Sequence, residues 1–237
     1  MKCTTTGLAA VAVAVVVVIV VTPSHAFADT PPANRGFQLA LRTGASVPFG
    51  KAMNDLDSSE FSGVQVPFLV DVGGKPLPEL FLGGYVGFAF GSPAGTTADF
   101  CEAVDAGCAG FGWRIGAEVQ YQFIPDGKVN PWVGYGIGWE AVGFGIAQDD
   151  EDASNEDDEE AVFAAALAGY EFAHLMGGAD FRLNKVVGLG PFVDVSFGRY
   201  TKVGFANDDN ARSEDIDDSD EATHGWVTFG IRVVFFP

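Results

Sequence analysis

The chain has 237 residues, with 32 acidic against 13 basic side chains, a formal net charge of −19, 31 glycines and 21 phenylalanines. So acidic a chain repels phosphate backbones, which excludes nucleic acid as a partner. Motifs for nucleotides, haem or structural zinc are absent from the sequence, and no cofactor is implied.

The N-terminus carries Lys2, an apolar run from Leu8 to Val21, a helix-breaking Pro23, and the small-x-small triplets Ser24-His25-Ala26 and Ala26-Phe27-Ala28. This layout reads as a secretory signal peptide over residues 1–28, cut after Ala26 or Ala28. An N-terminal anchor is the alternative, but the run falls short of the roughly 20 residues that span a bilayer. Residues 29–36 then form a short lead, and residues 37–237 form one folded domain.

From Phe37 onward the chain alternates. The clearest stretch is Phe111 to Phe123, where Phe111, Trp113, Ile115, Ala117, Val119, Tyr121 and Phe123 share one face. Gly112, Arg114, Gly116, Glu118, Gln120 and Gln122 share the other. A period of two is a β-strand with one apolar side. The pattern predicts eight strands: 37–47, 64–72, 80–90, 111–123, 132–147, 162–183, 189–203 and 226–235. The sixth is irregular. Phe172 and Phe181 have opposite parity, so a bulge is expected between them, with Gly177-Gly178 as its site. A helix over Ala164–Ala168 is the alternative there.

The connections alternate in length. Residues 73–78, 124–130 and 184–187 are short and carry turn residues. Residues 49–62, 92–109, 148–161 and 204–222 are long. The long ones hold 23 of the 32 acidic residues and, of the basic ones, only Lys51 and Arg212. The excess charge thus gathers at one rim. The less apolar face of the strands is mostly Gly, Ala and Gln with a few charges. That is too sparse to solvate an exterior but suits a narrow interior. Aromatics at strand ends (Phe37, Phe90, Phe111, Phe123, Trp132, Tyr200, Trp226 and Phe235) read as girdles at a lipid–water boundary. Together these features predict an all-β, eight-stranded antiparallel up-and-down transmembrane β-barrel.

On these residues the chain resembles the small bacterial outer-membrane barrels of the OmpA and OmpX type. The final strand, with Val227, Phe229, Ile231, Val233 and Phe235 alternating toward the C-terminus, is similar to that family's assembly signal. The resemblance implies a bacterial outer membrane location, extracellular long loops, contact with outer-membrane lipid and lipopolysaccharide, and insertion by the barrel-assembly machinery.

Three groups of residues could carry function. Arg42, Asp71, Arg114, Glu118, Glu140, Asp180, Arg182, Asp194 and Arg232 are predicted to face inward, where they form either a salt-bridged plug or the lining of a narrow ion path. Unpaired buried charge is costly, so these groups must pair. The acidic stretch 149–160 offers Asp149, Asp150, Glu151, Asp152, Asp157 and Asp158 as weak ligands for divalent cations. It lacks the spacing of a calcium loop and also fits a solvated, self-repelling loop. Cys101 and Cys108 suit a local disulfide in an exported chain, with metal binding as the alternative. His174 and His224 remain after the leader, with Thr223, Ser196 and Ser213 as possible hydroxyl partners, but no nucleophile motif surrounds them. The sequence therefore points to a structural or surface-interaction barrel that is not an enzyme. A narrow channel is the alternative, and a lipid-modifying enzyme is a distant third.

Overall fold

The computed structural model describes residues 35–103, 107–147, 161–206 and 210–236. The signal-peptide region and all six cation candidates of the 149–158 stretch lie outside these residues. The described chain forms ten strands: β1 (Gly36–Met53), β2 (Leu56–Asp57), β3 (Gln65–Leu77), β4 (Leu80–Gly91), β5 (Gly107–Gln122), β6 (Val129–Ala147), β7 (Ala161–Arg182), β8 (Val187–Ala206), β9 (Ala211–Asp215) and β10 (Thr223–Phe235). Two helices, α1 (Ser58–Phe61) and α2 (Gly95–Ala103), lie in the first two long connections.

Eight strands close on themselves. Sequential neighbours pair antiparallel from β1 and β3 through to β8, and β10 pairs with both β8 and β1. The closing seam is long and regular, running from Leu39↔Phe235 to Gly50↔His224. Closure leaves no unpaired edge within the ring, which is the condition for crossing lipid with strands. β2 is a short partner of β1, and β9 folds back on β8.

Side-chain direction follows the predicted alternation. Phe37, Leu82, Phe88, Ile115, Ile137, Phe229 and Ile231 point outward with about half their surface exposed, while Gln38, Arg42, Asp71, Gln120 and Arg232 point inward with almost none. An apolar outer wall around a polar interior reverses the arrangement of a water-soluble barrel.

Several expectations are corrected. The strands extend past their predicted ends, so residues 73–77 belong to β3 and the first short turn shrinks to residues 78–79. Part of the long connection 204–222 is strand β9. Ala164–Ala168 is strand rather than helix, since it pairs on both sides with β6 and β8. The bulge in β7 lies between Glu171 and Ala173, not at Gly177-Gly178. Both Phe172 and Leu175 face outward there, so the parity changes within that interval. Trp132, Tyr200 and Trp226 are not girdle residues: all three turn into the barrel and are at most 3% exposed. Each shares parity with an inward charge on its own strand, Glu140, Asp194 and Arg232 respectively.

The two ends of the lumen differ. On the short-turn side Ala40, Val234 and Phe236 pack together. On the long-loop side an apolar cap joins Ala52, Val142, Leu167, Tyr200, Ile216 and Trp226, with Met53, Leu56 and Phe61 laid against it. The connection after β1 thus folds back over the mouth. β6, β7 and β8 have 19, 22 and 20 residues against 12 in β4, so that side of the barrel rises as a taller wall.

Candidate functional site: the filled lumen

The lumen is occupied from end to end by layers of side chains. At the short-turn end Lys75 Nζ donates to Gln122 Oε1 at 2.6 Å, and Gln122 Nε2 donates to Gln38 Oε1 at 3.0 Å. The Phe236 ring lies under this layer, with Lys75 5.6 Å and Arg182 4.8 Å from its centroid. Above it Arg232 Nη1 donates to Asp180 Oδ2 at 2.9 Å, and Nη2 donates to Gln120 Oε1 at 2.8 Å. The Arg232 guanidinium also stacks 4.2 Å from the Trp132 ring.

Arg42 centres the next layer. Its Nη2 donates to Asp71 Oδ1 at 2.8 Å and its Nη1 to Asp194 Oδ2 at 3.3 Å. Glu118 Oε2 lies 3.8 Å away. All four side chains are sealed from solvent, so one arginine faces three carboxylates inside the wall.

Nearer the mouth, Arg114 Nε lies 3.2 Å from Glu140 Oε2 and its Nη1 3.5 Å from Glu171 Oε1. Tyr85 crosses from β4 to donate its hydroxyl to Glu171 on β7. It can do so because three glycines leave the adjoining wall of β5 and β6 bare. A Cβ at Gly116 or Gly138 would stand 2.5 or 2.6 Å from the Tyr85 hydroxyl, and one at Gly136 would stand 3.2 Å from its ring. His224 contacts Glu140 through Nε2 and stacks on Tyr200 with ring centroids 3.6 Å apart. Gly198 makes room for that contact: its Cβ would meet Glu140 Oε1 at 2.6 Å and His224 Nε2 at 2.9 Å.

Of the nine charges expected inside, eight are at least largely enclosed within these layers. Arg182 sits at the short-turn rim, where its Nη2 donates to the Pro125 carbonyl at 2.6 Å. Four interior groups escaped the sequence reading: Lys75, Glu171, His174 and His224. Lys75 follows Gly73-Gly74 and precedes Pro76, a string that reads as a turn. The bulge at Ala173 brings both Glu171 and His174 inward, which a single alternation cannot do. His224 opens β10 with the same parity as Trp226, and that parity is the signal that could have found it. It lies inside the barrel, in contact with Glu140, at the long-loop end of the closing seam. Ser196 is buried inside as well.

A cavity of about 20 Å³ remains between the Arg114 layer and the cap, lined in part by Ser46, Arg114, Glu140, Asp194, Trp226 and Thr228. Such a space holds about one water molecule and no larger solute. Outside the ring, Cys101 on α2 is bonded to Cys108 on β5. Among the described residues no group of three or more His, Cys, Asp or Glu side chains is arranged to hold a metal ion.

A closed ring with an apolar outer wall and a polar, filled lumen defines a transmembrane β-barrel protein. No protein-family model matches the chain, and no curated protein matches it. Solved structures with a similar fold are outer-membrane barrels. Neisserial surface protein A is 12% identical, with 84% of this chain and 96% of that one covered and a TM-score of 0.45. A major outer membrane protein of Thermus thermophilus is 14% identical, covering 83% and 98%, with a TM-score of 0.49. OprG of Pseudomonas aeruginosa is 12% identical, covering 86% and 98%, with a TM-score of 0.47.

Proposed function

We propose that this chain is a closed structural barrel of the bacterial outer membrane, whose lumen is a plug and whose working surface is its long, acidic loops. The observation that carries the reading is the burial of the interior charges. Arg42, Asp71, Glu118, Asp180, Asp194 and Arg232 are each at most 5% exposed and sit in ion pairs with one another. A conducting lumen of this width needs charged walls facing water, and here they face one another. The apolar cap closes the mouth above them.

In this reading the long loops face the outside of the cell and the short turns the periplasm. The barrel sits among outer-membrane lipid and lipopolysaccharide after insertion by the assembly machinery. The acid-rich rim disfavours anionic partners and suits contacts bridged by divalent cations, with the 149–158 carboxylates as the candidate ligands. The barrel is not an enzyme: its histidines are enclosed with carboxylates and arginines, out of reach of a lipid substrate. Liposome swelling tests the plug. Vesicles carrying the refolded barrel should exclude small sugars and amino acids as protein-free vesicles do. Uptake that scales with the amount of protein would instead establish the narrow channel.

A further inference from the structure

His174 occupies a position unlike any other in the lumen. Its Nδ1 lies 3.6 Å from Glu171 Oε1 and its Nε2 lies 3.4 Å from Asp194 Oδ2, with the ring fully buried. A neutral imidazole has one donor nitrogen and one acceptor nitrogen. At these distances neither nitrogen makes a hydrogen bond, and only the doubly protonated, cationic ring forms an ion pair with both carboxylates. The bulge at Ala173 creates the arrangement, because it turns residues 171 and 174 to the same side of the wall.

The two carboxylates it touches belong to different clusters. Asp194 is a ligand of Arg42, together with Asp71 and Glu118. Glu171 is a ligand of Arg114, together with Glu140. His174 is thus the joint between an Arg42 cluster with three carboxylates and an Arg114 cluster with two. Two arginines leave the five carboxylates three positive charges short, and a doubly protonated His174 ring narrows that deficit by one. The groups facing it from neighbouring strands are Arg42 on β1, Tyr85 on β4, Glu118 on β5, Glu140 on β6 and Asp194 on β8. The Tyr85 ring meets it edge-on at 5.1 Å and supplies no countercharge.

We propose that His174 is a proton-operated joint of the plug. With both ring protons in place it ties the two clusters together and holds the lumen shut. When one proton leaves, Glu171 and Asp194 face a neutral ring, the central cluster carries one more uncompensated charge, and the lumen relaxes to admit water and small cations. The closed state therefore persists at low pH and is lost as pH rises, the sign expected when the folded closed form binds the extra proton. This inference rests on the closed-barrel reading.

The experiment is single-channel recording of the refolded barrel across a pH series, with parallel ¹⁵N spectra of its imidazole nitrogens. The expected result is silence at neutral pH and cation-selective openings in alkali. On the approach to the transition, the open probability should rise about tenfold per pH unit, the slope of one proton. The His174 nitrogens should both carry protons in the silent state and lose one across the same interval. His174→Gln should conduct at every pH, while Lys202→Gln, at an exposed ion pair with Asp215, should keep the pH-dependent opening. A barrel silent throughout, with His174 titrating, would overturn the joint and leave the plug standing. A His174 ring that is neutral in the silent state would overturn it by itself, without any variant having to fold. Openings of equal size at every pH in the unmodified protein would overturn the plug as well.

Discussion

Arg42 Nη1 and Asp194 Oδ2 meet at 3.3 Å across the lumen, although 152 residues separate them in sequence and β10 separates their strands. Their contact spans the seam where the barrel closes, so one ion pair reports on closure and on filling together. Removing the cation strands three buried carboxylates. Arg42→Met should therefore cost about 3–5 kcal/mol. Urea titration of the refolded barrel in detergent, followed by tryptophan fluorescence, measures it. Asp71→Asn leaves a polar partner in place and should cost clearly less.

The orientation of the wall makes a second prediction. Ile115 is 50% exposed at mid-strand on the outer face, and its pairing partners Val86 and Trp139 share that face. Ile115→Arg should destabilise the folded barrel in bilayers by about 2–4 kcal/mol, the depth-dependent cost of a lipid-facing cation. Ile115→Ser should cost less. Equal tolerance of arginine and serine would place this face in water.

The glycine wall under Tyr85 gives a third. Gly138→Ala places a methyl 2.5 Å from the Ile115 carbonyl oxygen and 2.6 Å from the Tyr85 hydroxyl. Overpacking of this kind costs about 1–3 kcal/mol, and the Tyr85–Glu171 contact should be lost with it. Gly145→Ala is the control, because nothing lies within 4 Å of its added Cβ. Heat-modifiability on gels separates the two: the control should keep wild-type mobility and melting, and Gly138→Ala should melt earlier.

The Cys101–Cys108 bond closes a loop whose ends are seven residues apart. Chain entropy assigns so short a loop about 2.5 kcal/mol of stabilisation, felt locally. Reduction should speed proteolysis around α2 and leave the strand content seen by circular dichroism unchanged. A loss of strand signal on reduction would show that the loop helps hold the ring.

The barrel itself was legible because its code is a period of two that survives single exceptions. Leu39, Leu41, Val70, Val72, Ile115 and Ile231 each report the lipid face without help from their neighbours. The interior was less legible for a physical reason. At Ala173 one inserted residue shifts the parity, which hid His174 and misplaced the bulge to the nearest glycine pair. At Lys75 the flanking Gly73, Gly74 and Pro76 imitate a turn, although the strand runs through them to Leu77. The cap was hidden for another reason. Met53, Leu56 and Phe61 lie in a connection, and only the folded ring shows that they pack against Trp226 and Tyr200 over the mouth. Trp132, Tyr200 and Trp226 were assigned to the girdle by their place at strand ends, when their parity with Glu140, Asp194 and Arg232 already pointed inward.

Planar-bilayer conductance at neutral pH tests the central claim, that the lumen is filled and sealed, most directly. Barrels inserted at single-molecule density should leave the membrane current at its baseline, with no discrete steps. Steady openings of uniform size at neutral pH would show a continuous aqueous path past Arg42, Arg114 and Arg232, and would contradict the account.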